Sequence, residues 1–319
     1  MHLIGAPCDA GASMRGASMG PEALRVAGLA EALAARGHPV LDHGNLYGPG
    51  LPFAPPQAPA DPARPPQAGY RHLEQVAQWS RLVFDAFDAV LSLDDPRRTH
   101  LPLLLGGDHS LAVGSVAAVA RHCRRTGREL RVLWLDAHAD FNTPQLSPSG
   151  NLHGMPLACL SGMGPAALTH LHECSAMDAP ALDPACVRLV GLRSVDPGER
   201  RLVYEHGLQA YDMRHIDEVG MRATMAEALY GVDARTHLHV SLDVDFLDPA
   251  MAPGVATAVP GGPTYREAQL CMEMIAETGA LGSLDVVELN PACDERNRSA
   301  QLMVNLIESL FGKSTLLKK

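Results

Sequence analysis

Short runs of Val, Leu and Ile recur along the chain, each followed by a longer stretch in which apolar residues return every three or four positions. The short runs have the character of strands buried on both faces, and the longer ones read as amphipathic helices. Their alternation predicts an α/β fold, a three-layer α/β/α arrangement in which helices cover both faces of a parallel sheet. Strands are expected at Leu3 to Pro7, Pro39 to Asp42, Leu101 to Leu105, Arg131 to Asp136, Val187 to Leu192, Leu208 to Tyr211, Leu238 to Asp243 and Ser283 to Glu288, which makes one eight-stranded sheet. Helices are expected over Pro21 to Arg36, with Gly37 as a stop, Leu73 to Leu93, and Leu111 to Arg125 with Gly127 as its stop. Further helices are expected over Pro197 to His206, Ile216 to Tyr230, Tyr265 to Thr278 and Ser299 to Leu310.

One stretch breaks the rhythm. Between Tyr47 and Tyr70, prolines stand at positions 49, 52, 55, 56, 59, 62, 65 and 66 among Gly and Ala. That density sustains neither a helix nor a central strand, so 47–70 is expected to be an extended surface loop. The same alternation resumes after it, so residues 1–319 read as a single domain.

Composition narrows the function. Hydrophobic residues make up 46% and charged residues 19%, the balance of a globular chain and not of a disordered one. The formal charge is -10, and the lysines are confined to Lys313, Lys318 and Lys319. No basic face is available to neutralise phosphates, so nucleic acid is not an expected partner. No apolar run approaches the ~20 residues a bilayer requires, and no membrane role is expected. Met1 to Pro7 lacks the basic head and apolar run of a signal peptide, and the seven cysteines at 8, 123, 159, 174, 186, 271 and 293 include no Cys-x-x-Cys pair. The expected compartment is the cytoplasm, with reduced thiols.

Three segments join an apolar run to a knot of Asp and His: Leu-Leu-Leu-Gly-Gly-Asp-His-Ser (103–110), Val-Leu-Trp-Leu-Asp-Ala-His-Ala-Asp (132–140) and Val-Ser-Leu-Asp-Val-Asp-Phe-Leu-Asp-Pro (240–249). In an open parallel sheet the carboxyl ends of the strands form the ligand crevice, so the three knots converge on one edge. Residues two apart on a strand share a face, which pairs Asp136 with His138 and Asp243 with Asp245. Several carboxylates in one crevice repel one another unless cations join them. His109, Asp136, His138, Asp140, Asp243 and Asp245 supply four carboxylates and two imidazoles, more than one ion needs. This hard, oxygen-rich set suits two Mn²⁺ ions better than structural zinc. Paired metals activate water, which makes hydrolysis the expected reaction class.

The three knots resemble the signature segments of the ureohydrolase family, and the chain as a whole resembles its arginase branch. The likeness also covers Ile-Gly-Ala-Pro (4–7), Gly-Pro-Glu-Ala-Leu-Arg (20–25) and Glu-Leu-Asn-Pro (288–291). It implies a dimanganese hydrolase that converts L-arginine to L-ornithine and urea through a metal-bridging hydroxide, assembled as a homotrimer or a hexamer of paired trimers. By resemblance, His109, Asp136, Asp140 and Asp243 would hold one ion and Asp136, His138, Asp243 and Asp245 the other, with Asp140 also accepting a hydrogen bond from the hydroxide. Asn142 and Ser149 would take the substrate α-carboxylate, Asp196 the α-amino group with support from Glu199, and Thr257 and Glu288 the guanidinium, while His153 would pass a proton to the leaving amine. The chain departs from the pattern at Ser194, where many arginases carry an acid, and at Ala256 and Ala258, where Gly and Pro are common.

A charge count points the same way. Four aspartates offset two divalent cations, leaving Glu288 and the hydroxide to favour a cationic substrate and repel a phosphate. Other readings are another ureohydrolase (agmatinase, guanidinobutyrase or formimidoylglutamase), a dinuclear phosphoesterase, and a non-catalytic binding protein. The remaining histidines, including His237 and His239, read as structural.

Overall fold

The computed structural model describes residues 1–51, 69–93, 100–171, 180–314 and 316. Most of the proline-rich stretch, Cys174, Lys318 and Lys319 lie outside the described residues. Eight strands are found: β1 His2–Ala6, β2 Leu41–Asn45, β3 Pro102–Gly106, β4 Glu129–Leu135, β5 Val187–Leu192, β6 Gln209–Asp212, β7 Thr236–Asp243 and β8 Leu281–Val287. All are parallel in one sheet of order β2-β1-β3-β8-β7-β4-β5-β6.

The described helices are α1 Gly20–Val26, α2 Leu29–Ala35, α3 Leu73–Leu91, α4 Ala112–Thr126, α5 Pro156–Leu160, α6 Ala166–Thr169, α7 Pro197–Glu205, α8 Met213–Val219, α9 Met221–Ala228, α10 Tyr265–Thr278 and α11 Arg298–Leu310. They divide between the two faces. Val83, Phe87, Val116 and Leu157 pack with Ile4, Leu104 and Trp134 on one face. Leu24, Leu33, Met225, Ile275 and Leu306 pack with Leu3, Leu103 and Leu242 on the other. Successive strand residues thus alternate between two cores, as the pleat requires.

Some boundaries differ from expectation. The helix expected over 21–36 is two, because Gly28 turns the backbone to φ 83° between α1 and α2. The helix expected over 216–230 also divides, at Gly220 with φ 85°. Both glycines adopt backbone that other residues rarely reach, and each lets the chain change direction along the sheet. The short helices α5 and α6, after the second knot, were not expected, since four or five residues are too few to show a period.

The strand order places the site. β3 and β4 are consecutive in sequence, yet β8 and β7 lie between them in the sheet. The crevice at the carboxyl ends of these four central strands therefore gathers residues from across the chain.

Candidate active site and metal centre

The register aligns Leu135 with Leu242 and Asp243 with Val287. Asp136, Asp243 and Glu288 accordingly leave the sheet at one level, and His109 reaches them from the turn after β3. Gly107 permits that turn, because a Cβ there would overlap the Cys8 backbone.

The pairing within each knot has a different origin from the strand pleat expected. β4 ends at Leu135 and β7 at Asp243, so His138 and Asp245 lie beyond the strands. Each Asp folds the chain over itself: Asp136 Oδ1 accepts from the His138 amide at 2.6 Å, and Asp243 Oδ1 accepts from the Asp245 amide at 2.7 Å. The i+2 amide bond closes an Asx turn, which brings the second ligand beside the first.

Two groups result, each with ligand atoms close enough for one cation: His109, Asp136 and Asp243, and Asp136, His138 and Asp245. Asp136 belongs to both. His109 Nδ1 lies 3.1 Å from Asp136 Oδ2, 3.0 Å from Asp140 Oδ2 and 3.2 Å from Asp243 Oδ2. One nitrogen with at most one proton cannot satisfy three carboxylates, and His109 Nδ1 and Asp140 Oδ2 are both buried without a hydrogen-bond partner. A cation is the missing partner, and the donor set fits one: this is a binuclear metal site. Its electrostatics agree. Burial, then the Asp136 charge, raises Asp140 to about 6, while burial, then the Asp245 charge, raises Asp243. Burial would lower His138, but its Asp136 and Asp245 partners push it up to about 12. Without metal the cluster holds protons that divalent ions would replace.

A second layer orients these ligands. Trp134 Nε1 donates to Asp136 Oδ2 at 2.9 Å, and its ring stacks on His109 with centroids 4.1 Å apart. Ser241 Oγ lies 2.9 Å from His109 Nε2, the contact that leaves Nδ1 unprotonated when Nε2 donates. Neither was singled out from sequence, although each stands two positions before a ligand on the same strand face.

A cleft of about 120 Å³ opens over the metal groups, lined by residues that include His153, Asn142, Ser194, Asp196, Glu199, Thr257 and Glu288. That is room for on the order of ten waters, the scale of a single small molecule. Glu288 Oε1 accepts from the His109 amide at 2.8 Å and lies 3.1 Å from His153 Nδ1, whereas Glu288 Oε2 is buried and unpaired. Glu288 and Asp140 both hold positive φ, 62° and 51°, conformations that non-glycine residues keep only where the surroundings enforce them. Burial would lower His153, but the adjacent Glu288 carboxylate outweighs it and raises the imidazole to about 9.

At the far end Asn142 Nδ2 donates to Asp196 Oδ2 at 3.0 Å, and Asn142 Oδ1 is left unpaired. Glu199 is buried in the cleft wall, accepting from the Phe141 and Asp196 amides at 2.9 and 3.2 Å, and burial raises it to about 7. Thr257 Oγ1 donates to Asp245 Oδ2 at 3.0 Å. Ser149 is not among the residues lining the cleft; its hydroxyl accepts from the Asn151 amide at 3.2 Å. His237 and His239 meet Ser283 at 3.0 and 2.8 Å inside the core, away from the cleft.

The sequence model of the Arginase family matches residues 1–312. An arginase from Bacillus caldovelox is 42% identical, the match covering 99% of each chain, and one from Agrobacterium fabrum is 44% identical over 98% of this chain and 90% of its own. The native structure of the Bacillus caldovelox arginase superposes with a TM-score of 0.87 at 40% identity, covering 99% of both chains. With the metal groups, the cleft and the eight-stranded sheet all in this arrangement, the chain belongs to the arginase family.

Proposed function

We propose that the protein hydrolyses the guanidinium group of L-arginine to L-ornithine and urea. The observation that carries this reading is Glu288 Oε2, a buried, unpaired carboxylate oxygen at a cleft shared with the metal groups. With the four metal aspartates offset by two divalent ions, Glu288, Asp196 and Glu199 leave the cleft acidic, which favours a guanidinium and an ammonium over an anion. Related arginases at 42% and 44% identity support the same substrate.

His109, Asp136, Asp140 and Asp243 would hold one ion, and Asp136, His138, Asp243 and Asp245 the other. Bound metal supplies Lewis acidity that makes water nucleophilic near neutral pH. Glu288 Oε2 accepts guanidinium N–H groups and fixes the carbon against the attacking water, whose hydrogen bond Asp140 accepts. Thr257 holds Asp245 in place at the same end. Water, having given up one proton to solvent, adds to the guanidinium carbon; as the bond from that carbon to the chain nitrogen breaks, the remaining O–H proton passes to Asp140 and the leaving amine takes a proton from His153. Glu288 beside it favours the imidazolium form of His153, which has that proton to give. Asp196 faces the α-ammonium, braced by Glu199. The second N–H of Asn142, together with Ser149, is assigned to the α-carboxylate.

Manganese as the ion, a trimer or hexamer as the assembly and the cytoplasm as the compartment belong to this proposal. The hard carboxylate set supports manganese. The test is urea release from L-arginine and agmatine in parallel, with Mn²⁺-loaded protein and a chelator-treated control. Turnover of arginine alone, abolished by the chelator, is expected. Turnover of agmatine alone would overturn the α-end assignments, and chelator-resistant turnover would overturn the metal role.

A further inference from the structure

Arg193 sits at the end of β5, outside the metal groups and outside the residues lining the cleft. Its guanidinium makes six contacts, all to main-chain carbonyls. Nε donates to Val259 O at 3.0 Å, Nη1 to Gly191 O and Phe246 O at 3.2 Å each, and Nη2 to Asp245 O at 2.7 Å, Val259 O at 2.8 Å and Leu247 O at 3.1 Å. Five N–H groups in a rigid plane thus bridge three segments, around Gly191, 245–247 and Val259, the last two of which are also tied by Thr257 to Asp245 and by the Gly261 amide to Asp248.

Those segments converge on one side of the metal centre. Asp245, whose carbonyl takes the shortest of the contacts, is a ligand in the group with His138. Val259 lies two residues from Thr257, which donates to Asp245 Oδ2. The Arg193 amide donates to Ala137 O at 2.9 Å, and the Ala137 amide donates to Asp245 Oδ1 at 3.1 Å, so Arg193 also ties down the residue before His138. No described hydrogen bond of Arg193 reaches His109, Asp140 or Asp243. We propose that Arg193 is a positioning residue for one metal subsite, holding Asp245 and His138 in binding geometry while the His109 subsite stands without it.

This rests on the two-ion reading of the site, and its test separates the two. Wild type, R193K, H138A and the double variant R193K/H138A are loaded with Mn²⁺, passed through dilute chelator, and assayed by elemental analysis for ions retained per chain, with folding checked by circular dichroism. Lysine keeps the charge but cannot span five carbonyls. Wild type is expected to keep two ions, R193K to bind the second ion about 10 to 100-fold more weakly and keep one, and R193K/H138A to lose no more than H138A alone. Retention of both ions by R193K, parallel loss of both, or additive loss in the double variant would overturn the role of Arg193. Fewer than two ions on wild type would overturn the two-ion reading and this inference with it. If R193K does not fold, R193Q repeats the test, since its planar amide offers two N–H groups where the guanidinium offers five.

Discussion

At the scale of single residues, the site is built from aspartates doing two jobs at once. Asp136 and Asp243 each close a turn with one oxygen and present the other to the metal groups, so their identity is constrained by backbone as well as by charge. Glu288 divides its oxygens in the same way, Oε1 taken by His109 and His153 and Oε2 buried without a partner. Replacing His153 by Asn should lower kcat by about 10² to 10⁴-fold with metal content unchanged, as removal of a general acid does; steady-state kinetics with elemental analysis checks it. W134F keeps the stacking on His109 but strips Asp136 of a buried N–H. It should weaken metal binding by about tenfold, measurable by calorimetric titration.

At the scale of elements, the turns rather than the strands carry the chemistry. β4 and β7 deliver their knots to the edge and stop, and the Asx turns then place His138 and Asp245. The helices stabilise this from outside. α10 begins with a capping box in which the Thr264 hydroxyl accepts from the Glu267 amide and Glu267 accepts from the Thr264 amide. T264A should therefore cost about 1 kcal/mol of stability in a denaturant melt, and leave urea release unchanged because the residues lining the cleft include none from α10.

At the scale of the whole molecule, stability is coupled to metal and to pH. Bound ions stabilise the folded state by mass action, about 2.7 kcal/mol per site at a hundredfold excess over Kd, so chelation should lower Tm in a thermal melt. His237 provides a pH handle away from the site. Burial, with His239 nearby, lowers it from its ordinary 6.5 to about 3. The folded state thus resists a proton that the unfolded chain accepts. Its contribution is complete above 6.5 and is lost as pH falls from there toward 3. H237Q, which can keep a bond to Ser283, should flatten that slope, the difference reaching about 2 kcal/mol at pH 5. Denaturant titrations of both proteins at pH 7.5 and 5 compare the slopes.

The eight strands, and the five residues that the structure gathers into two metal groups, were legible because both rest on local signals: a short apolar run marks a strand, and Asp-x-His or Asp-x-Asp at its end marks a candidate ligand pair. The residues His109, Asp136, His138, Asp140, Asp243 and Asp245 needed no tertiary knowledge to be suspected together. Tertiary structure alone decided which strands are neighbours. Inserting β7 and β8 between β3 and β4 brings Glu288 to His109 and His153, across separations of well over a hundred residues, and no local pattern encodes that. The same holds for Trp134, Ser241 and Arg193, ordinary residues in sequence whose importance lies in what they face. The positive φ of Asp140 and Glu288 is likewise a product of packing, since neither residue prefers it. Composition and period determine the elements and the chemistry available. The order of strands, set by burial of the whole sheet, determines which of those groups meet.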